Sequence, residues 1–154
     1  MQWSLLLRKS LYGRCRTVMT ERMTDRPRIL VVDDDLSQLE LMHRLLSGEG
    51  FEVATTPMPI GVSNLVKEFA PDVVLLDVNI PALPGNKLMA LARRHARPGT
   101  RFVLYSGCEE SELRLLAVQA QADDWIPKRA APSELVVRLR ALCAHARQLA
   151  QSTS

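Results

Sequence analysis

Short apolar runs alternate with longer stretches in which apolar residues recur at the spacing of a helix, from residue 28 to about residue 150. The strand-sized runs predict five strands, at residues 28–32, 51–55, 73–76, 101–105 and 124–127. Helical spacing between and after these runs predicts five helices, at residues 36–47, 62–69, 87–96, 109–121 and 132–150. The chain therefore reads as five successive strand–helix units.

This alternation predicts an α/β fold, a doubly wound parallel sheet with helices on both faces. The run VVLL at 73–76 is apolar throughout, which is typical of a central strand that is buried on both sides. Right-handed crossovers leave only a few strand orders open for such a sheet. Ligands of these folds bind beyond the carboxyl ends of the strands, so functional side chains are expected there.

The composition is that of one globular domain. The chain has 154 residues, of which 47% are hydrophobic and 24% are charged, and this balance excludes a disordered chain. No apolar run approaches the ~18 residues of a membrane-spanning helix. The three cysteines are odd in number and far apart, so they fit a reducing cytoplasm and predict no zinc site.

The positive charge lies almost entirely in the first 26 residues. Six basic and two acidic residues fall in 1–26, whereas 27–154 contains 14 basic and 15 acidic residues. We therefore predict a basic, disordered leader over residues 1–26, a domain over residues 27–150 and a tail over residues 151–154. A membrane-touching amphipathic leader is the alternative. Because the body is almost neutral, we expect no nucleic-acid partner for it.

Acidic side chains follow two of the predicted strands. Asp33 and Asp34 come after the first strand and Asp77 after the third, so parallel strands would gather three carboxylates at one edge. Carboxylates this close repel one another, and the pKa of at least one rises unless a counter-charge is present. No histidine or cysteine lies at these strand ends in the spacing of a zinc site. Hard oxygen ligands instead predict Mg²⁺ or Mn²⁺.

A serine and a lysine complete the polar groups of this edge, because Ser106 follows the fourth strand and Lys128 the fifth. A carboxylate can act as a nucleophile and take a phosphoryl group as an acyl phosphate. The moving group carries spread negative charge, so its transfer depends on a metal and a fixed cation. Asp77 stands alone after the most buried strand and is the best candidate for the nucleophile. Lys128 would supply the cation, and Ser106 a hydroxyl donor.

Four segments in register resemble the receiver domain of response regulators, the proteins of two-component signalling. They read RILVVDD at 28–34, PDVVLLDVNIPALPG at 71–85, RFVLYSG at 101–107 and ADDWIPK at 122–128. The separations match as well, with 43 residues from Asp34 to Asp77, 29 from Asp77 to Ser106 and 22 from Ser106 to Lys128. The resemblance covers residues 27–147 and implies a flavodoxin-like, five-stranded parallel sheet in the order 2-1-3-4-5.

The resemblance also implies which of these residues accepts the phosphoryl group and which bind the metal. Asp77 would be the phosphoacceptor and a ligand of the metal. Asp34 would bind Mg²⁺ directly, and Asp33 mostly through water. Asn79 would contribute its backbone carbonyl oxygen to the same ion.

Three further roles follow from the resemblance. Ser106 would be the switch hydroxyl, Lys128 the lysine that pairs with the phosphoryl group, and Trp125 the switch aromatic residue. Family members usually carry a proline after this lysine, in a cis peptide, whereas Arg129 and Ala130 follow it here. A cis peptide before a residue other than proline is costly, so this departure puts the position of Lys128 in question.

We therefore expect a stand-alone, cytoplasmic receiver that accepts a phosphoryl group from a histidine kinase or a histidine phosphotransfer protein. Its output would pass to an unknown downstream protein or through a homodimer of the fourth and fifth helices. It would turn over no external substrate and would slowly hydrolyse its own acyl phosphate. A scaffold with the receiver fold that works without phosphorylation is the alternative, and Arg129 motivates it. A phosphohydrolase is disfavoured because such enzymes typically place a second acid where this chain has Asn79.

Overall fold

The computed structural model describes residues 26–79 and 85–153. Within them it has five strands, β1 (Arg28–Val32), β2 (Glu52–Thr56), β3 (Val73–Leu76), β4 (Arg101–Ser106) and β5 (Asp124–Pro127). The helices are α1 (Leu36–Gly48), α2 (Val62–Phe69), α3 (Gly85–His95), α4 (Glu110–Ala120) and α5 (Pro132–Ser152). All neighbouring strands are parallel, in the order β2-β1-β3-β4-β5. The predicted fold is therefore confirmed, whereas the predicted leader lies outside the described residues apart from Arg26.

The sheet separates two apolar layers because successive strand residues point to opposite faces. Ile29 and Val31 of β1 pack with α1 and α5, whereas Leu30 and Val32 pack with α2, α3 and α4. Each residue of β3 is at most 1% exposed, as predicted for a central strand. The side chains that follow β1 and β3 therefore stand on a well-packed base.

Helix bounds differ from the prediction by two residues at the start of α3, which begins at Gly85, and at the end of α5. Helix α5 continues to Ser152, two residues beyond the predicted end, so residues 151 and 152 are helical rather than part of a tail. Residues 147–153 contain neither glycine nor proline, so no residue there stops the helix. Among the described residues, no helix is long and apolar enough to cross a membrane.

The start of α1 is set by Asp35. Its Oδ1 accepts hydrogen bonds from the backbone N–H of Ser37 (2.9 Å) and of Gln38 (3.4 Å). The first N–H groups of a helix have no partner within the helix, and an aspartate in this position satisfies them. Asp35 thus caps α1, whereas Asp33 and Asp34 just before it are the acidic residues of the predicted metal site.

Asp72 fastens the opposite, amino-terminal edge of the sheet. Its fully buried carboxylate accepts hydrogen bonds from the backbone N–H of Arg28 (2.9 Å) and from the guanidinium groups of Arg97 and Arg147. A buried charge is tolerated when it is paired and hydrogen-bonded in this way. These bonds join β1, the segment after α3 and the second half of α5.

Candidate functional site

The acidic residues meet at the carboxyl edge of the sheet, as predicted. The parallel ladder continues past β3, because the backbone N–H of Asp77 donates to the carbonyl oxygen of Val32 (3.0 Å). Asp33 is 1% exposed and Asp77 is 5% exposed, whereas Asp34 is exposed at the mouth of the site. One carboxylate oxygen from each of the three lies within 4.8 Å of the others. The residues that sequence reasoning grouped for a metal are therefore close enough to share one.

Lys128 reaches into this cluster from the end of β5. Its Nζ donates to Asp33 Oδ2 (2.6 Å) and to Asp77 Oδ2 (3.2 Å). The backbone N–H of Lys128 donates to the carbonyl oxygen of Ser106 (2.8 Å), which continues the pairing of β4 with β5. No peptide bond in the described part of the chain is cis. The replacement of the usual proline by Arg129 therefore leaves the lysine within reach of both carboxylates.

Burial and neighbouring charges act against each other on these groups. Burial raises the pKa of Asp77, as does the charge of Asp33, and the backbone N–H of Asn79 and the ammonium of Lys128 only partly offset this. Burial also lowers the pKa of Lys128, but the hydrogen bond and charges of Asp33 and Asp77 outweigh it, so the pKa is raised. Lys128 is therefore a firmly charged cation beside an acid that is costly to ionise.

The donor set fits a hard divalent cation. Three carboxylates face one ammonium, so negative charge is left over, and oxygen is the ligand type that Mg²⁺ prefers. Both oxygens of Asp33 already accept hydrogen bonds, Oδ1 from the backbone N–H of Asp35 (3.0 Å) and Oδ2 from Lys128. Asn79 is exposed, and its backbone N–H donates to Asp77 Oδ1 (3.2 Å). Asn79 thus contacts Asp77 through its backbone N–H, and the role of its carbonyl oxygen as a metal ligand stays a prediction.

Ser106 ends β4 and Trp125 pairs with Leu104 inside β5, and both lie on the other side of the sheet, towards α4. Ser106 is fully buried, and its Oγ accepts a hydrogen bond from the backbone N–H of Cys108 (3.4 Å). Trp125 is partly buried against the α2–α4 layer, with the Arg114 guanidinium 5.5 Å from the ring centroid. The structure therefore brings Asp33, Asp34, Asp77 and Lys128 together and puts the two predicted switch residues on the opposite face of the sheet.

Tyr105 was not identified from the sequence as a neighbour of Lys128, whereas Arg129 was. Tyr105 places its ring centroid 5.8 Å from Lys128 Nζ, and Arg129 turns away to pair with Glu110 (3.3 Å) and, more distantly, Glu109 (3.9 Å). Strand alternation puts Tyr105 on the α1–α5 side, together with Val103. This alternation could be seen in the sequence, but it equally describes a core residue that has no contact with the site.

Comparison with known proteins identifies the family of the chain. Residues 29–140 match the response regulator receiver domain family. The chain belongs to the response regulator receiver family. It is 38% identical over 118 residues to the DNA-binding response regulator MtrA of Mycobacterium tuberculosis, covering 77% of this chain and 51% of MtrA. It is 35% identical over 128 residues to the transcriptional regulatory protein PrrA of the same organism, covering 83% of this chain and 54% of PrrA.

Solved receiver domains have the same architecture. The CheY-like receiver domain protein from Methanospirillum hungatei aligns with a TM-score of 0.71 and 25% identity, over 80% of this chain and 98% of that one. The activated receiver domain of Klebsiella pneumoniae RstA aligns with a TM-score of 0.68 and 27% identity, over 78% and 98% of the two chains. The chain spans about half the length of the curated relatives MtrA and PrrA. Since MtrA is named as DNA-binding, the expectation of no nucleic-acid partner gains no support here.

Proposed function

We propose that this receiver accepts a phosphoryl group on Asp77 from a phosphohistidine of a histidine kinase or a phosphotransfer protein. The observation that carries the proposal is the shared ammonium. Lys128 Nζ lies 3.2 Å from Asp77 Oδ2 and 2.6 Å from Asp33 Oδ2, at the edge where three carboxylates meet. A buried aspartate held beside a fixed cation is what transfer of a phosphoryl group to a carboxylate requires.

In the transfer, an oxygen of Asp77 forms a bond to phosphorus while the P–N bond of the donor imidazole breaks. The nitrogen of the donor keeps the electron pair of that bond. Asp77 must be ionised to attack, and the Lys128 ammonium favours that form against the effect of burial. Once the acyl phosphate has formed, the same ammonium lies beside the new phosphoryl oxygens and offsets their charge.

We propose Mg²⁺, or Mn²⁺ in its place, as the ion of this site. Asp34 and Asp77 would bind it directly, Asp33 through water, and Asn79 through its backbone carbonyl oxygen. The ion would neutralise charge on the phosphoryl oxygens during transfer. The closeness of the three carboxylate oxygens, all within 4.8 Å, supports this assignment.

The output is a shift between two packings of the molecule. Phosphorylation of Asp77 would draw the Ser106 hydroxyl towards the phosphoryl group and change the packing of Trp125 and α4. The altered surface of α4, β5 and α5 would then bind a downstream protein or a second copy of this chain. We propose a cytoplasmic protein that turns over no external substrate and slowly hydrolyses its own acyl phosphate.

Intact mass after incubation with acetyl phosphate and Mg²⁺ tests the acceptor. We expect one added phosphoryl group on the wild type and none on Asp77→Asn. Asp35→Asn is the matched control, because it also removes an acid beside the site, while asparagine caps a helix as well as aspartate does. Addition to Asp77→Asn would show that another residue is the acceptor. A wild type that gains no phosphoryl group from acetyl phosphate or from a phosphohistidine donor would favour the scaffold alternative.

A further inference from the structure

The ring of Tyr105 forms one wall of the space that holds the Lys128 ammonium. Tyr105 is 7% exposed and belongs to the apolar layer between the sheet, α1 and α5. Lys128 Nζ lies 5.8 Å from the centroid of this ring. That distance is within the reach of a cation–π contact, in which the negative face of an aromatic ring attracts a cation.

Strand register brings the two side chains together. Tyr105 is paired with Ile126 across β4 and β5, and Lys128 follows two residues later. Residues two apart in an extended strand point to the same face, so Lys128 leaves the sheet on the same side as the Tyr105 ring. Asp33 and Asp77 follow Val31 and Leu75 by two residues and so continue the same side. The ring, the ammonium and both carboxylates therefore share one face of the sheet.

Lys128 depends on its surroundings for a fixed position. Its side chain is 21% exposed, and a lysine ammonium is a point charge on a flexible four-carbon stem. The next residue, Arg129, is directed away from the site by its pairs with Glu109 and Glu110. The two carboxylates attract the ammonium from one side, and a buried aromatic face limits where else it can go.

We propose that Tyr105 is a positioning residue for Lys128. The face of the Tyr105 ring holds the Lys128 ammonium between Asp33 and Asp77. The inference rests on the proposed role of Lys128 in phosphoryl transfer. It assigns the effect to the ring and not to the hydroxyl group, so phenylalanine should replace tyrosine and leucine should not. An ordinary core tyrosine would instead affect folding without any particular effect on Lys128.

Lysine NMR spectra test the contact without any phosphoryl transfer. The chain contains four lysines, so selective ¹³C labelling gives few side-chain signals, and Lys128→Arg identifies the one from Lys128. An aromatic ring shifts the signals of groups above its face upfield. We expect this shift for the Lys128 CεH₂ group in the wild type and in Tyr105→Phe, and its loss in Tyr105→Leu. A wild-type Lys128 signal at the position of an exposed lysine would overturn the proposal.

Phosphorylation rates test whether the contact matters for the reaction. With acetyl phosphate and Mg²⁺, we expect Tyr105→Leu to be slower by about fivefold, in line with loss of a cation–π contact, and Tyr105→Phe to stay within about twofold of the wild type. Phe51→Leu is the matched control, because Phe51 is an aromatic residue of the same layer, 2% exposed. It should leave the rate within about twofold when the protein is fully folded, since its ring is not the one facing Lys128.

A second background separates positioning from structural damage. In Lys128→Ala, the added Tyr105→Leu change should leave the residual rate unchanged, because Tyr105 acts through the missing ammonium. An equal loss in both backgrounds, or a Tyr105→Phe variant as slow as Tyr105→Leu, would overturn the proposal. If the wild type accepts no phosphoryl group at all, the proposed function fails, while the NMR spectra still decide whether Tyr105 holds Lys128.

Discussion

To act as the proposed phosphoacceptor, Asp77 has to be ionised in a place where burial opposes its charge. Burial and the carboxylate of Asp33 raise its pKa, and the Asn79 N–H and the Lys128 ammonium favour the ionised form. In the proposed transfer, the raised pKa would make the ionised carboxylate a stronger nucleophile towards phosphorus. The same burial lowers the free energy of unfolding when Asp77 is ionised, and a substitution can measure this effect.

Asp77→Asn should raise the free energy of unfolding at pH 7 in the absence of metal. The pKa of Asp77 is raised above its ordinary value of 3.8, so the folded state binds this proton more tightly than the unfolded state. Wild-type stability is therefore lost as the pH rises through the folded pKa, and asparagine avoids that loss. Urea unfolding of both proteins at pH 7 and below pH 3.8 measures the difference, which should shrink at the lower pH. An Asp77→Asn variant that is less stable at pH 7 would show that the pairing with Lys128 outweighs burial.

Mg²⁺ should stabilise the wild type through the leftover negative charge of the carboxylates. A ligand that binds only the folded state adds about 2.7 kcal/mol at a concentration of 100 times its Kd. Asp34→Asn removes the exposed carboxylate that we propose as a ligand and should abolish most of this gain, whereas Asp35→Asn should keep it. Urea unfolding with and without Mg²⁺ measures the gain. Equal gains in the wild type and in Asp34→Asn would exclude Asp34 as a ligand.

At the scale of the elements, a loop between α3 and β4 packs against the carboxyl-terminal half of α5 through a glycine. Gly99 has a φ of +92°, and a Cβ atom built on it would lie 2.4 Å from the carbonyl oxygen of Ala146. No side chain fits in that space without a shift of α5, because the two nearest atoms belong to the backbone of that helix. Gly99 therefore lets α5 lie directly on the loop, near the Asp72 carboxylate that also binds Arg147.

Gly99→Ala should destabilise the protein more than Gly50→Ala does. Gly50 has nearly the same φ, +90°, but a Cβ there would meet nothing within 4 Å. Gly50→Ala thus measures the backbone term alone, about 1–2 kcal/mol for a left-handed conformation. Gly99→Ala adds displacement of α5, and overpacking of this kind costs about 1–3 kcal/mol more. Urea unfolding of both variants gives the difference, and equal losses would mean that α5 moves aside freely.

The elements and the acidic site could be predicted from the sequence because both depend on local order. Strand alternation fixes which face a residue takes, and parallel strands bring Asp33, Asp77 and Lys128 to one edge wherever the helices pack. The end of α5 was harder to predict, because no glycine or proline near residue 150 marks where the helix ends. The bonds of Asp72 were not predicted, since their partners lie 44 and 75 residues away and depend on how the helices are oriented.

At the scale of the whole molecule, the site and the α4 surface share two connections. Ser106 is buried between them, and its carbonyl oxygen holds the backbone N–H of Lys128. Arg129, the residue after Lys128, pairs with Glu110 at the start of α4 (3.3 Å). Both partners of that pair are at least half exposed, so it contributes little to stability, but it places the start of α4 next to the lysine loop. A change at Asp77 therefore has a short physical route to α4.

Leu115 and Val118 give α4 an apolar surface, 58% and 71% exposed, at the end of that route. If the phosphorylated form pairs through α4 and α5, Leu115→Asp should weaken its self-association by at least about tenfold, because a buried unpaired charge is costly. Leu41→Asp is the matched control, since Leu41 is 59% exposed on α1. Sedimentation with acetyl phosphate and Mg²⁺ measures the association of each variant. Equal weakening by both substitutions would place the contact elsewhere, and a wild type that stays monomeric when phosphorylated would assign the α4 surface to a different protein.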